Sequence, residues 1–270
     1  MNVAIVQCKR EESFEANLSK AASFFAEAKG CDCIVFPEYF LKKEEKRGYS
    51  HQATTIAKER FASLCRLYRM HGVMGSIAEK RNSRFYNTSY LFDDKGNALG
   101  RYDKINLERG EREWITPGRK VACISTRFGL AGIQICRDLL YPQITQDLAQ
   151  KGAKLVFCPT RWCSYSARYP KSYLTRFTEG TLPKEMQALA EARAIESCCA
   201  FILANAAGET PKEKLLGRSS VSMPFYGTVA ILNHNREGIL AHAIDKKLLN
   251  SASGAYGKEK GREKRGVRSK

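Results

Sequence analysis

In the first half of the chain, short apolar runs rich in β-branched residues alternate with longer stretches in which apolar positions recur every three or four residues. The short runs fit strands buried on both faces, and the longer stretches fit helices with one apolar side. Residues 3–7 read as the first buried strand. Residues 15–29 then set Leu18, Ala22, Phe25 and Ala26 on one helical face, and Gly30 supplies the stop. A strand over 33–36 is closed by Pro37. A helix over 55–70 follows, and then strands over 73–77, 85–92 and 98–102. Asp93-Asp94-Lys95-Gly96 predicts a hairpin turn between the last two. Farther on, 121–126 and 130–135 predict adjacent strands broken at Phe128-Gly129, and 155–158 a further buried strand. A helix over 184–197 runs into a strand over 200–204, and 217–232 and 239–244 carry the last strand signals.

This alternation is that of an α/β domain. No short repeat and no Pro- or Ser-rich linker divides the chain, so one body over residues 1–250 is expected, followed by a basic, disordered tail over 251–270. No apolar run reaches the ~20 residues of a membrane helix, and residues 1–8 lack the basic segment and apolar core of a signal peptide. A cytoplasmic protein that does not engage a membrane is therefore expected.

Charge and cysteine usage refine this only slightly. The formal net charge is +17, but residues 258–270 carry seven basic and two acidic residues, and the rest is spread along the chain. Lys42-Lys43-Glu44-Glu45-Lys46-Arg47 reads as a solvated loop or helix face. Solubility and weak nonspecific affinity account for such a pattern, so no dedicated nucleic-acid binding is expected. The ten cysteines fall in apolar runs, as at Cys33, Cys158 and Cys198-Cys199, where free thiols behave as small hydrophobes. Neither Cys31-Asp32-Cys33 nor the Cys158 to Cys163 spacing is a CxxC pair, and no metal site is expected.

Three segments put a reactive or ionisable residue just after an apolar strand: Ile34-Val35-Phe36-Pro37-Glu38, Gly100-Arg101-Tyr102-Asp103-Lys104 and Gly132-Ile133-Gln134-Ile135-Cys136. Strand ends are where α/β sheets assemble sites. Singly, each residue is ordinary: a surface acid, a surface lysine, a buried thiol. Together they supply the parts for acyl transfer. A thiol attacks, a carboxylate carries protons, and an ammonium lowers the thiol pKa and faces the developing oxyanion. A helix starting at Pro142 would add its positive end.

With these strings, and with Val3-Ala4-Ile5-Val6-Gln7, Arg101 to Leu107, Arg137-Asp138-Leu139-Leu140-Tyr141-Pro142, Ala192 to Glu196, Ala204 to Gly208 and Gly217 to Ser220, the chain resembles the nitrilase superfamily over about residues 1–245. These are carbon–nitrogen hydrolases with a Glu-Lys-Cys triad. The resemblance implies a four-layer α-β-β-α sandwich, assembled as a homodimer or larger homo-oligomer, with no cofactor. It makes Glu38 the general base and acid, Lys104 the oxyanion stabiliser and Cys136 the nucleophile, with the backbone N–H of Arg137 as a second oxyanion donor. It also implies a supporting carboxylate between Lys104 and Pro117-Gly118, where Glu111 matches best and Glu113 is the alternative. Arg137 stands where the family usually has an aromatic residue, and Gln143 where a glutamate often follows the proline.

The resemblance implies a small-molecule substrate: an amide, preferred, or a carbamoyl compound or a nitrile. A catalytically silent binding protein on the same fold is the rival outside enzymology, and the intact triad speaks against it. Tyr39, Arg161 and Trp162 adjoin the strand ends and are candidate pocket residues. Trp162 reads equally as a core aromatic. Arg161 and Arg137 read either as surface cations or as partners of a substrate anion.

Overall fold

The structure is a computed structural model that describes residues 1–41, 51–166, 181–211 and 213–256. The charged run at 42–47 and the tail from 257 lie outside the described residues.

Two sheets form the body. In the first, β1 (Asn2–Gln7), β2 (Cys33–Val35) and β3 (His71–Val73) are parallel, with α1 (Phe14–Glu27) and α2 (His51–Tyr68) as crossovers. The chain then turns antiparallel through β4 (Ile77–Arg81), β5 (Arg84–Phe92) and β6 (Ala98–Asp103), with β3 and β4 along one edge of β5 and β6 along the other.

The second sheet opens with β7 (Ala122–Thr126) and β8 (Gly129–Ile133), continues through α3 (Pro142–Gln150) into β9 (Leu155–Thr160), and then reaches β10 (Cys163–Ser166). After α4 (Thr181–Ser197) come β11 (Ala200–Asn205), β12 (Glu209–Thr210), β13 (Glu213–Leu215), β14 (Ser220–Met223) and β15 (Gly227–Ile231). Its order is β15-β14-β11-β9-β8-β7, while β10, β13 and β12 make a small separate sheet. β16 (Gly238–Ala243) returns to pair antiparallel with β1, and α5 (Lys246–Ala255) follows.

The period-2 alternation of side chains makes four layers out of these pieces. Val3 and Ile5 of β1 join Ile133, Phe157 and Ile202 in a cluster between the sheets. Ala4 and Val6 point the other way, into a cluster with Phe25 of α1 and Phe61 of α2. Val156, Cys158, Phe201 and Leu203 likewise pack outward against Leu148 of α3 and Met186 of α4. The architecture is therefore the expected αββα sandwich. Under α1 and α2 the core is aromatic: Phe25 stacks on Phe36 at 5.9 Å and meets Phe61 edge-on at 5.2 Å.

Three elements depart from the sequence reading. The strand expected over 73–77 is two strands, β3 and β4, broken at 74–76. Gly75 has φ +66°, and a Cβ on it would lie 2.2 Å from the carbonyl oxygen of Pro37, so the break lets the loop after β2 pass. The signal over 217–232 is a hairpin, with Phe225 at φ +69° between β14 and β15. Helix α5 crosses the boundary expected at residue 250. Asp245 caps it by accepting from Lys247 N–H at 2.8 Å, and of its side chains Leu249 and Ala252 are buried, too few for a periodic signal. None of the described helices is long and apolar enough to cross a membrane.

Helix α2 lies so close to β3 that a Cβ on Gly72 would sit 2.6 Å from both Phe61 Cε1 and Cys65 Sγ. Gly72→Ala should destabilise the protein by ~1–3 kcal/mol, the usual overpacking cost, read as a lower midpoint of thermal unfolding. An unchanged midpoint would contradict this packing.

Candidate active site

Three loops meet at one end of the two facing sheets. Glu38 lies three residues past β2, Lys104 directly after β6 and Cys136 three residues past β8, while Glu111 comes from the turn after Lys104. Backbone hydrogen bonds set them. Glu38 N–H donates to Thr160 O at the end of β9 (3.3 Å), tying one sheet to the other, and Lys104 N–H donates to Asn87 O of β5 (2.9 Å). The Lys104 carbonyl accepts from Gly118 N–H at 2.8 Å. A Cβ on Gly118 would fall 2.0 Å from Asp103 O, so glycine is required there.

The charged side chains are deeply buried: Lys104 is 1% exposed, Glu38 3% and Glu111 6%. Glu113, the alternative, is exposed. Lys104 Nζ donates to Glu38 Oε1 and to Glu111 Oε2, both at 2.8 Å. The amide nitrogen of Asn87 donates to Glu38 Oε1 and Glu111 Oε1, again both at 2.8 Å. Glu111 also accepts from the Tyr39 hydroxyl on Oε1 (2.8 Å) and from Glu108 N–H on Oε2 (2.9 Å). Each Glu111 oxygen thus has two donors, whereas both of these donors to Glu38 fall on Oε1.

This inequality divides the two carboxylates. Burial works against ionising Glu111, but Lys104 and the donors outweigh it and hold its carboxyl below the ordinary range. For Glu38, burial and the nearby Glu111 charge outweigh Lys104 and push the carboxyl up. Burial disfavours the Lys104 ammonium as well, yet the anions around it, Glu38 first, hold its pKa well above the ordinary value.

Cys136 opens a single 3-10 turn, Cys136–Leu140, with φ +48°, a conformation that turns the strand sharply. Its thiol lies close enough to the Glu38 carboxylate, the Lys104 ammonium and the Arg161 N–H to feel all three, and Cys158 lies beside its own N–H. Lys104 acts to lower the thiol pKa, as expected, but burial and the Glu38 carboxylate outweigh it and raise the pKa well above the ordinary value. The α3 helix starts at Pro142, beyond the 3-10 turn, and not directly after Cys136.

Asp138 ties the Cys136 turn to the lysine loop. Fully buried, it accepts from the Tyr102 hydroxyl (2.7 Å), Asn106 N–H (2.8 Å), Asn106 Nδ2 (3.0 Å) and Ile135 N–H (2.9 Å). Gln134 N–H goes to Phe157 O and Asp138 N–H to Ile135 O. Among the described residues none accepts the N–H of Arg137.

The remaining expected residues divide. Tyr39, at φ +53°, turns its hydroxyl to Glu111 and so belongs to the charge network. The guanidinium of Arg161 pairs with both oxygens of Glu213 on β13, and Arg137 pairs with Glu108 at 3.3 Å. Each arginine therefore has a protein carboxylate as partner. The Trp162 ring packs against the cluster under α3 and α4, and the residue's backbone N–H donates to Asn205 Oδ1 at 2.8 Å. Sequence reasoning missed Asn87 and the role of Asp138. Asp138 stood in plain view inside a motif, whereas Asn87 looked like any polar strand residue. Among the described residues no cluster of three or more His, Cys, Asp or Glu side chains is arranged to hold a metal ion.

The sequence model of the carbon-nitrogen hydrolase family matches residues 2–253. The chain is 27% identical over 239 residues to 2-oxoglutaramate amidase of Bacillus subtilis, covering 85% of this chain and 84% of that one. It is 26% identical over 275 residues to omega-amidase NIT3 of Saccharomyces cerevisiae, covering 93% and 89%. Among solved structures, yeast Nit3, a member of branch 10 of the nitrilase superfamily, superposes with a TM-score of 0.80 at 24% identity, covering 94% of this chain and 93% of that one. An amidase from Nesterenkonia sp. AN1 in complex with acrylamide gives 0.78 at 20% identity, covering 95% of each. The likeness to both structures is one of fold.

Removing the Asp138 carboxylate leaves four buried donors without an acceptor. Asp138→Ala should cost at least ~3 kcal/mol in urea unfolding. The N–H groups of Ile135 and Asn106 should then exchange with solvent faster together, because one carboxylate holds both. An unchanged midpoint, or faster exchange at only one of the two, would contradict the clamp.

Proposed function

The chain belongs to the carbon–nitrogen hydrolase family, and from that premise we propose that it is an amidase releasing ammonia from a small amide through a thioester on Cys136. The observation that carries this reading is the buried contact set in which Lys104 bridges Glu38 and Glu111 while the Cys136 thiol faces Glu38.

The steps follow from the charge balance. Cys136 Sγ attacks the amide carbon as its proton passes to Glu38 Oε2, so the thiolate never has to exist beside two carboxylates. The carbonyl oxygen becomes an oxyanion. Lys104 has three N–H donors, two of which serve Glu38 and Glu111. The third, with the Arg137 N–H, is left for that oxygen. As the intermediate collapses, Glu38 returns the proton to nitrogen and ammonia leaves. Water then gives a proton to Glu38 and attacks the thioester, and collapse releases the acid and restores the thiol. Glu111 stays ionised throughout and holds Lys104 when Glu38 is protonated.

An amide is preferred over a nitrile or a carbamoyl compound because several of the relatives are named as amidases acting on 2-oxoglutaramate or as omega-amidases. A silent binding protein is disfavoured because three buried charges are expensive to keep unless they do something packing cannot. Association into a homodimer or larger assembly belongs to this reading, and the half-exposed Leu140, Tyr141 and Ile195 offer apolar surface for it.

A panel of ω-amides, carbamoyl amines and nitriles, assayed for ammonia, should give release from an amide. Cys136→Ala should abolish it and Cys136→Ser nearly so, whereas Lys104→Ala and Glu38→Gln should each cost on the order of 10²-fold or more. The combined losses should fall far short of additive. Undiminished release by Cys136→Ala would sink the proposal.

A further inference from the structure

Asn87 stands in the middle of β5, fully buried, and opens a run of three buried polar residues, Asn87-Thr88-Ser89, in a strand that the core would otherwise fill with apolar side chains. Both amide hydrogens are used, one on Glu38 and one on Glu111, at 2.8 Å each. Its other amide atom, Oδ1, is buried with no hydrogen-bond partner among the described residues. An asparagine kept only to satisfy the core would be paired at both ends, because an orphaned carbonyl is costly. Here one end is sacrificed and the other is fully spent on two carboxylates. The contacts close a ring: Lys104 to Glu38, Glu38 to Asn87, Asn87 to Glu111, Glu111 back to Lys104. The Asn87 carbonyl also receives the Lys104 N–H, so one residue fixes the lysine at its backbone and both of its partners.

We propose that Asn87 is a positioning residue that locks Glu38 beside Glu111 and keeps Glu38 ionised, able to take the thiol proton. This rests on the reading of Glu38 as the base. The groups facing Glu38 are Lys104 after β6, Glu111 in the turn beyond it, Cys136 after β8, and Cys158 and Arg161 at the end of β9. Of these, Glu111 and the burial itself favour protonated Glu38, and Lys104 opposes them. Asn87 supplies the second donor on Oε1 and so adds to the weight of Lys104. Without it, protonation of Glu38 becomes easier and the base is lost at a higher pH.

Alkylation of Cys136 by iodoacetamide, followed across pH by mass spectrometry of the peptide that contains it, tests this in the full chain without a known substrate. In the wild type the rate should fall toward acid as Glu38 takes a proton. In Asn87→Ala that acid limb should move up by about one pH unit, the scale of one hydrogen bond to a charge, and Asn87→Ser, keeping one donor, should fall between. Serine also serves if the alanine variant folds poorly. An acid limb left in place in both variants, whatever happens to the absolute rate, overturns the proposal. Ammonia release from the amide panel is measured on the same wild-type samples. Absence of release alongside a shifted limb would end the amidase reading and leave the coupling of Asn87 to Glu38 established.

Discussion

The seating of one ammonium between two carboxylates in a nearly dry pocket is the constraint on which the rest depends. Isolated, any of the three charges would neutralise at such depth. Lys104 remains charged because Glu38 and Glu111 each touch it, and they stay close to it because Asn87 donates to both. Burial first, and then the Glu111 charge, raises the proton affinity of Glu38, and burial together with the Glu38 carboxylate raises that of Cys136. A carboxylate with raised proton affinity thus faces a thiol with raised proton affinity, and under the proposed reaction the proton would pass between them as the sulfur attacks.

The fold serves this seat. Glu38 and Lys104 come from the first sheet and Cys136 from the second, so the distance between the Glu38 carboxylate and the Cys136 thiol is set by how the sheets face each other. The interleaved Val3, Ile5, Ile133, Phe157 and Ile202 fix that separation. Local ties then transmit it: Glu38 N–H to Thr160 O between strand ends, and Asp138 between the lysine loop and the Cys136 turn. A change in sheet packing would move the thiol relative to Glu38, which makes the core part of the site.

Much of this was legible in the sequence, for physical reasons. Strands buried on both faces announce themselves as apolar runs, and Glu38, Lys104 and Cys136 stood out because each follows one. The four layers and the choice of Glu111 came from resemblance, and burial now separates Glu111 from the exposed Glu113. Asn87 was hidden because a polar residue inside a strand reads as solvent-facing unless both faces are known to be covered. Helix α5 escaped because few of its side chains reach the core. The lowering effect of Lys104 on the thiol was legible, whereas the net upward shift was not, because burial and the Glu38 carboxylate, which outweigh the lysine, depend on the folded pocket.

The central claim is that Cys136 itself carries the acyl group, with its proton taken by Glu38. Mixing the wild type with an amide that it turns over, quenching within a turnover and mapping the peptides tests this most directly. The account predicts an added acyl mass on the peptide holding Cys136, absent in Cys136→Ala. An adduct found reproducibly on Cys158 or Cys163, with Cys136→Ala still turning over, would contradict it.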